Sequence, residues 1–134
     1  MGVGVTTLLL DTHVLLWLGA EPERLSVEAA EAMERADELA VASITWFELA
    51  WLAMQDRVVL GVPLRTWLAG LAAGVRSVAI TPEIAATAVS LRSSLPGDPP
   101  DRLIYATAIE HGWQLVTKDR RMHRYRHPRT VAVS

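Results

Sequence analysis

Residues 6–20 read TTLLLDTHVLLWLGA, and how this stretch is parsed decides the fold. TTLLL is a short apolar run of the kind that forms a strand buried on both faces. Asp11 ends it, and THVLLWLGA follows as a helical turn or two closing near Gly19. A strand that exits through an acid into a helix is the first half of a βα unit, where polar residues collect at the carboxyl end of the strand. The same stretch could be mistaken for a secretory leader. It has no basic segment before it, Asp11 interrupts it, and its apolar runs fall well short of the roughly 20 residues needed to cross a bilayer.

The pattern recurs downstream. Ser26 is placed to cap the helix-forming run SVEAAEAMERADE, and LAVAS (39–43) reads as a second buried strand. TWFELAWLAMQDR (45–57) is a helix with Trp46, Leu49, Ala50 and Ala53 on its apolar side. PLRTWLAGLAA (63–73) is another, opened by Pro63 and weakened late by Gly70. VRSVAI is a strand, TPEIAATAVSLRSSL a helix with Pro82 just inside its start, PPDRLIYATAIEHG a helix, WQLVT a strand and TVAVS an edge strand. Short apolar strands alternating with helices predict a three-layer α/β/α domain with a mainly parallel central sheet. With 134 residues, 51% of them hydrophobic, and no linker or repeat, a single domain over residues 1–134 is expected.

The chain has no cysteine, which removes disulfides, thiolate catalysis and thiolate-ligated metals, and makes a reducing cytoplasm the expected compartment. The four histidines show no zinc-ligand spacing: His13 sits beside Asp11, His111 precedes Gly112 near a helix end, and His123 and His127 flank basic residues. Net charge is −2, but its distribution is uneven. Residues 118–129 hold Lys118, Arg120, Arg121, Arg124, Arg126 and Arg129 against Asp119 alone, leaving seven basic and fourteen acidic residues elsewhere. That tail suits a phosphate-bearing partner, and it equally suits a solvated surface. Trp17, Trp46, Trp51 and Trp67 lie in apolar helical patterns and are expected to pack in the core or against another subunit.

Four acids stand at one kind of position. Asp11 and Asp119 follow strands, Glu48 lies one turn after the second strand, and Asp101 is in the first turn after Pro99 and Pro100. In a parallel sheet these places gather along the carboxyl edge. Each acid taken singly also reads as a helix start: Asp11 and Asp119 as caps, Thr45 with Glu48 and Asp98 with Asp101 as capping boxes. Together, crowded carboxylates raise one another's proton affinity unless a cation stands among them, and magnesium or manganese prefers such oxygen donors. A carboxylate cluster beside a basic tail points to metal-assisted hydrolysis of a phosphodiester. Ser43, Thr45 and Thr117, beside strand exits, are candidates to orient a carboxylate.

The segments LLLDTHVLLWL, SITWFELAWL and DPPDRLIYATAIEHGWQLVTKD closely resemble those of PIN-domain ribonucleases, in particular the VapC-type toxins of toxin–antitoxin pairs, from about Thr7 to Val133. The resemblance implies that Asp11, Glu48, Asp101 and Asp119 are the catalytic, metal-binding acids, acting with Mg2+ or Mn2+ on RNA, and that Asp98 neighbours the site. It implies that Thr117 supports the site, that the chain forms a homodimer, and that a cognate antitoxin covers the cleft. Pro100 and Met122 depart from the family, which often carries aromatic residues there. Arg102, Arg120, Arg121, Arg124 and Arg126 are the candidate RNA contacts. Two other readings stay open: a noncatalytic PIN-fold binding or scaffold protein, and a phosphoacceptor signalling domain, although the early sequence lacks the adjacent acidic pair the latter needs.

Overall fold

The computed structural model describes residues 4–55, 60–91, 98–120, 122 and 132–133. Strands β1 (Thr7–Leu10), β2 (Glu38–Ala42), β3 (Arg76–Val78), β4 (Gln114–Val116) and β5 (Ala132–Val133) form one sheet in the order β3-β2-β1-β4-β5. Every pairing among the described residues is parallel, with Leu9 opposite Ala40 on one side and Leu115 on the other. All strands therefore end on one edge, and β1, central in the sheet, delivers Asp11 to the middle of it.

The helices are α1 (Thr12–Ala20), α2 (Val27–Arg35), α3 (Ile44–Gln55), α4 (Leu64–Ala73), α5 (Pro82–Ser90) and α6 (Pro99–His111), with a 3-10 turn at Pro22–Arg24 that the sequence reading did not anticipate. Successive residues of a strand face opposite sides of the sheet, and the core divides accordingly. Leu9, Ala40, Ala42 and Leu115 pack with Ile104, Tyr105, Ala108 and Ile109 of α6. Leu8, Leu10, Val41 and Val116 pack with Val14 and Leu15 of α1, Ala29 and Met33 of α2, and Leu49 of α3. This is why β1 reads as a continuous apolar run: both faces are covered. Ile84 and Ala88 of α5 close on Ala106 of α6.

Local signals explain most boundaries. The Ser26 and Thr81 hydroxyls accept from the amides of Ala29 and Ile84 at 3.1 Å, each satisfying an otherwise orphaned helix N–H. Gly112 ends α6 in the left-handed region at φ 69°, where a side chain would be strained. α1 ends at Ala20, near Gly19 as expected; a Cβ on Gly19 would stand 2.6 Å from Leu71 Cδ2, so the glycine also admits α4. Gly70 does not cut α4 short. Met122 is fully buried in the α6-side core.

The tryptophan expectation holds in part. Trp46 and Trp67 are half-buried against the α1-side core, whereas Trp51 is 58% exposed and Trp17 reaches the site described below. Among the described residues no helix is long and apolar enough to cross a membrane.

Candidate active site

At the carboxyl edge a cleft of about 400 Å³ opens, lined by Asp11, Glu48, Asp98, Asp101 and Asp119 together with Thr12, His13, Trp17 and Lys118. The four acids expected from the sequence, and the Asp98 neighbour, thus share one cavity although they come from β1–α1, α3, α6 and the segment after β4.

Asp11 is held most firmly. It caps α1, its Oδ1 accepting from the Thr12 amide at 2.7 Å, and its Oδ2 accepts from the Thr117 hydroxyl at 2.7 Å. Thr117 Oγ1 in turn accepts from the Asp119 amide at 3.0 Å. One fully buried hydroxyl, that of Thr117, therefore links the two acids that follow β1 and β4. A second relay fixes Glu48. The Thr12 hydroxyl donates to Glu48 Oε1 at 2.6 Å and lies 3.1 Å from the Thr45 hydroxyl. Since Thr12 has one hydroxyl proton and gives it to Glu48, Thr45 must donate to Thr12.

These contacts correct several expectations. Thr45 and Glu48 are not a capping box: α3 has already begun at Ile44, and both side chains turn to Thr12. Asp98 is the N-cap residue of α6 but makes no side-chain cap hydrogen bond, so its carboxylate faces the cleft instead of the Asp101 amide. Ser43 joins β3 through its amide and the Val78 carbonyl at 2.9 Å and does not line the cleft. Arg102 is spent structurally: its Nε donates to Ala88 O at 3.0 Å and its Nη2 to Leu91 O, which ties α6 to the end of α5. It is not a cleft residue. Arg120 is exposed, and Arg121, Arg124, Arg126 and Arg129 lie outside the described residues. Thr12 escaped the sequence reading; its only signal was a hydroxyl directly after a capping acid.

The acids perturb one another. Burial pushes the Asp11 carboxyl up against its two hydrogen bonds, and Glu48 is raised by burial and further by Asp11 and Asp98. Asp101 is pushed up to about 7, first by burial and then by Asp11, Asp98, Glu48 and Asp119. Among the described residues no hydrogen bond is seen to reach its carboxylate, and a proton or a cation would offset that crowding.

The donor set is wholly hard oxygen, which fits Mg2+ or Mn2+ and does not fit a soft-metal centre. Among the described residues no three Asp, Glu or His side chains already stand as a coordination shell. Magnesium commonly binds through one or two carboxylates with waters and substrate phosphate oxygens, so the cleft suits a site that substrate completes.

Comparison with known proteins identifies the family and the fold. The sequence profile of the PIN domain family matches residues 8–128. The chain is 66% identical over 129 residues to Ribonuclease VapC22 of Mycobacterium tuberculosis, covering 96% of this chain and 99% of that protein. A toxin–antitoxin complex from Klebsiella pneumoniae contains a chain with the same fold at TM-score 0.66 and 27% identity, covering 92% of this chain and 94% of its own. The DNA-bound VapBC of Salmonella typhimurium reaches TM-score 0.71 over 96% of this chain and 97% of its own, and at 18% identity it speaks for the fold alone.

Proposed function

The chain belongs to the PIN domain family, and from that premise we propose that it is a VapC-type endoribonuclease toxin. On this reading residues 1–134 are a single nuclease domain that hydrolyses RNA phosphodiester bonds and is held in check by a cognate antitoxin. The observation that carries the reading is the convergence of Asp11, Glu48, Asp98, Asp101 and Asp119 on one cleft, where burial first and the neighbouring acids next push Asp101 up to about 7. A structural cap has no need of such repulsion; a cation site does.

Asp11, Glu48, Asp101 and Asp119 would hold Mg2+ or Mn2+, and when bound the ion supplies a Lewis acid toward the phosphate and a more acidic water. The chain's own residues do the rest. Thr117 and the Thr12 amide keep both Asp11 oxygens in fixed directions. The Thr45–Thr12 relay holds one Glu48 oxygen and leaves the other toward the cleft. Lys118, exposed at the cleft wall, offers a cation to a flanking phosphate. The basic run on to Arg129 would follow the RNA backbone, with Arg120, Arg121, Arg124 and Arg126 as contacts.

The high identity to a protein named a ribonuclease supports RNA as substrate. The Klebsiella toxin–antitoxin complex supports an antitoxin partner, and we extend the reading to a homodimer in the cytoplasm. The test is cleavage of total RNA by the full chain freed of any partner. Cleavage should need Mg2+ or Mn2+, stop with EDTA, leave 5'-phosphate ends, and vanish in Asp11→Asn. Ends that are unchanged in Asp11→Asn would reject the site, and the absence of cleavage with either metal would favour a noncatalytic binding protein.

A further inference from the structure

Beside the acid cleft lies a second recess of about 350 Å³, lined by Phe47, Glu48, Trp51, Leu52, Asp98 and Pro100. Glu48 and Asp98 border both cavities. Phe47 and Trp51 stand one turn apart on α3, their ring centroids 6.1 Å apart and their planes at 26°, and they are 64% and 58% exposed. The core does not explain them, because α3 buries Thr45, Leu49 and Ala53 on another face.

We infer that this recess is a nucleobase subsite. The RNA strand whose phosphate enters the acid cleft turns one unpaired base onto Trp51 and Phe47. The inference rests on the ribonuclease reading above. Three observations carry it. The helix that supplies Glu48 also supplies both rings, so base and scissile phosphate are placed by one rigid element. No cation is among the residues lining the recess, so it suits a neutral base better than a phosphate, whereas Trp17 and Lys118 line the cleft and not the recess. Lys118 Nζ lies 5.9 Å and Arg24 Cζ 4.9 Å from the centre of the Trp17 ring, so cations gather on the Trp17 side. The strand is thereby oriented, phosphates toward Trp17 and Lys118, base toward Trp51. Stacked aromatic faces accept any base, so the subsite would set where the strand sits more than which base it carries.

The test uses single-stranded RNA hexamers, intact or with one abasic site moved along the strand, and measures their binding to full-length Asp101→Asn protein. The same series is run with Trp51→Ala and with Trp51→Phe added. One abasic position should weaken binding roughly 10-fold or more. That penalty should vanish with Trp51→Ala, which alters an exposed ring, and persist with Trp51→Phe. A penalty equal in all three proteins, no penalty at any position, or no hexamer binding overturns the subsite. So does Trp51→Ala that leaves RNA binding intact while releasing a bound protein partner. Cleavage of total RNA by the unsubstituted chain is scored in parallel: a missing base penalty with cleavage retained defeats the subsite alone, while no cleavage of any RNA defeats the nuclease reading.

Discussion

Replacing Asp101 with Asn should make the metal-free protein more stable at pH 8 while ending its turnover of RNA. Asp101 in the folded chain is pushed up from 3.8 to about 7, by burial first and then by its four acidic neighbours. A folded-state value above the unfolded one favours the protonated fold. The stabilisation is complete below about pH 4 and is lost as pH rises through about 7, where the ionised carboxylate is crowded. Taken at face value, a rise of that size corresponds to about 4 kcal/mol. The side chain is only half-buried, and screening reduces this to about 1–2 kcal/mol. Asn carries no charge at any pH, so Asp101→Asn should exceed the wild type by about 1–2 kcal/mol at pH 8 and match it near pH 4. In Tm this is a gain of roughly 3–8 °C. Thermal unfolding in EDTA across pH 4–8 measures it. Saturating Mg2+ should shrink the difference, because the wild type then gains binding free energy that the variant lacks. A gain independent of pH, or a variant less stable than the wild type at pH 8, would refute the crowding argument.

Thr117→Val keeps the shape of the side chain and removes the link between Asp11 and Asp119. It should cost about 1–3 kcal/mol in denaturant unfolding, raise the Asp11 carboxyl further, and slow cleavage about 10–100-fold. Gly112→Ala meets no neighbour within 4 Å, so its cost is backbone strain alone at φ 69°: about 1 kcal/mol in stability, with cleavage per folded molecule unchanged. Replacing Arg120, Arg121, Arg124 and Arg126 together should weaken several RNAs alike and flatten the dependence of binding on salt. An unchanged slope would return that tail to an ordinary charged surface.

The fold was legible because its local signals agree with its layers. Leu8, Leu9 and Leu10 announce a strand covered on both faces, and Ser26 and Pro82 mark helix starts that the structure keeps. The convergence of Asp11, Glu48, Asp101 and Asp119 was legible for a related reason: a parallel sheet sends every strand exit to one edge. What was lost depends on contacts between distant segments. Thr45 and Glu48 have capping-box spacing, yet their partner is Thr12, more than thirty residues away. Arg102 lies next to Asp101 in sequence, but a helical step turns it toward α5 and its free carbonyls. Trp51 sits in an apolar helical pattern whose buried stripe falls on Leu49 and Ala53, a face the sequence cannot select without knowing where α6 and the sheet lie.

The account turns on whether the acids of the cleft act as one oxygen site completed by a cation. Calorimetric titration of the full chain with Mn2+ near pH 6.5, in buffers of different ionisation enthalpy, tests this directly. Wild type should bind and release protons, Asp101 giving up most of one, since it is mainly protonated at that pH before the ion enters. Asp101→Asn should bind more weakly and release fewer protons, and Asp11→Asn should scarcely bind. Equal affinity and equal proton release in all three proteins would place the metal elsewhere and contradict the account.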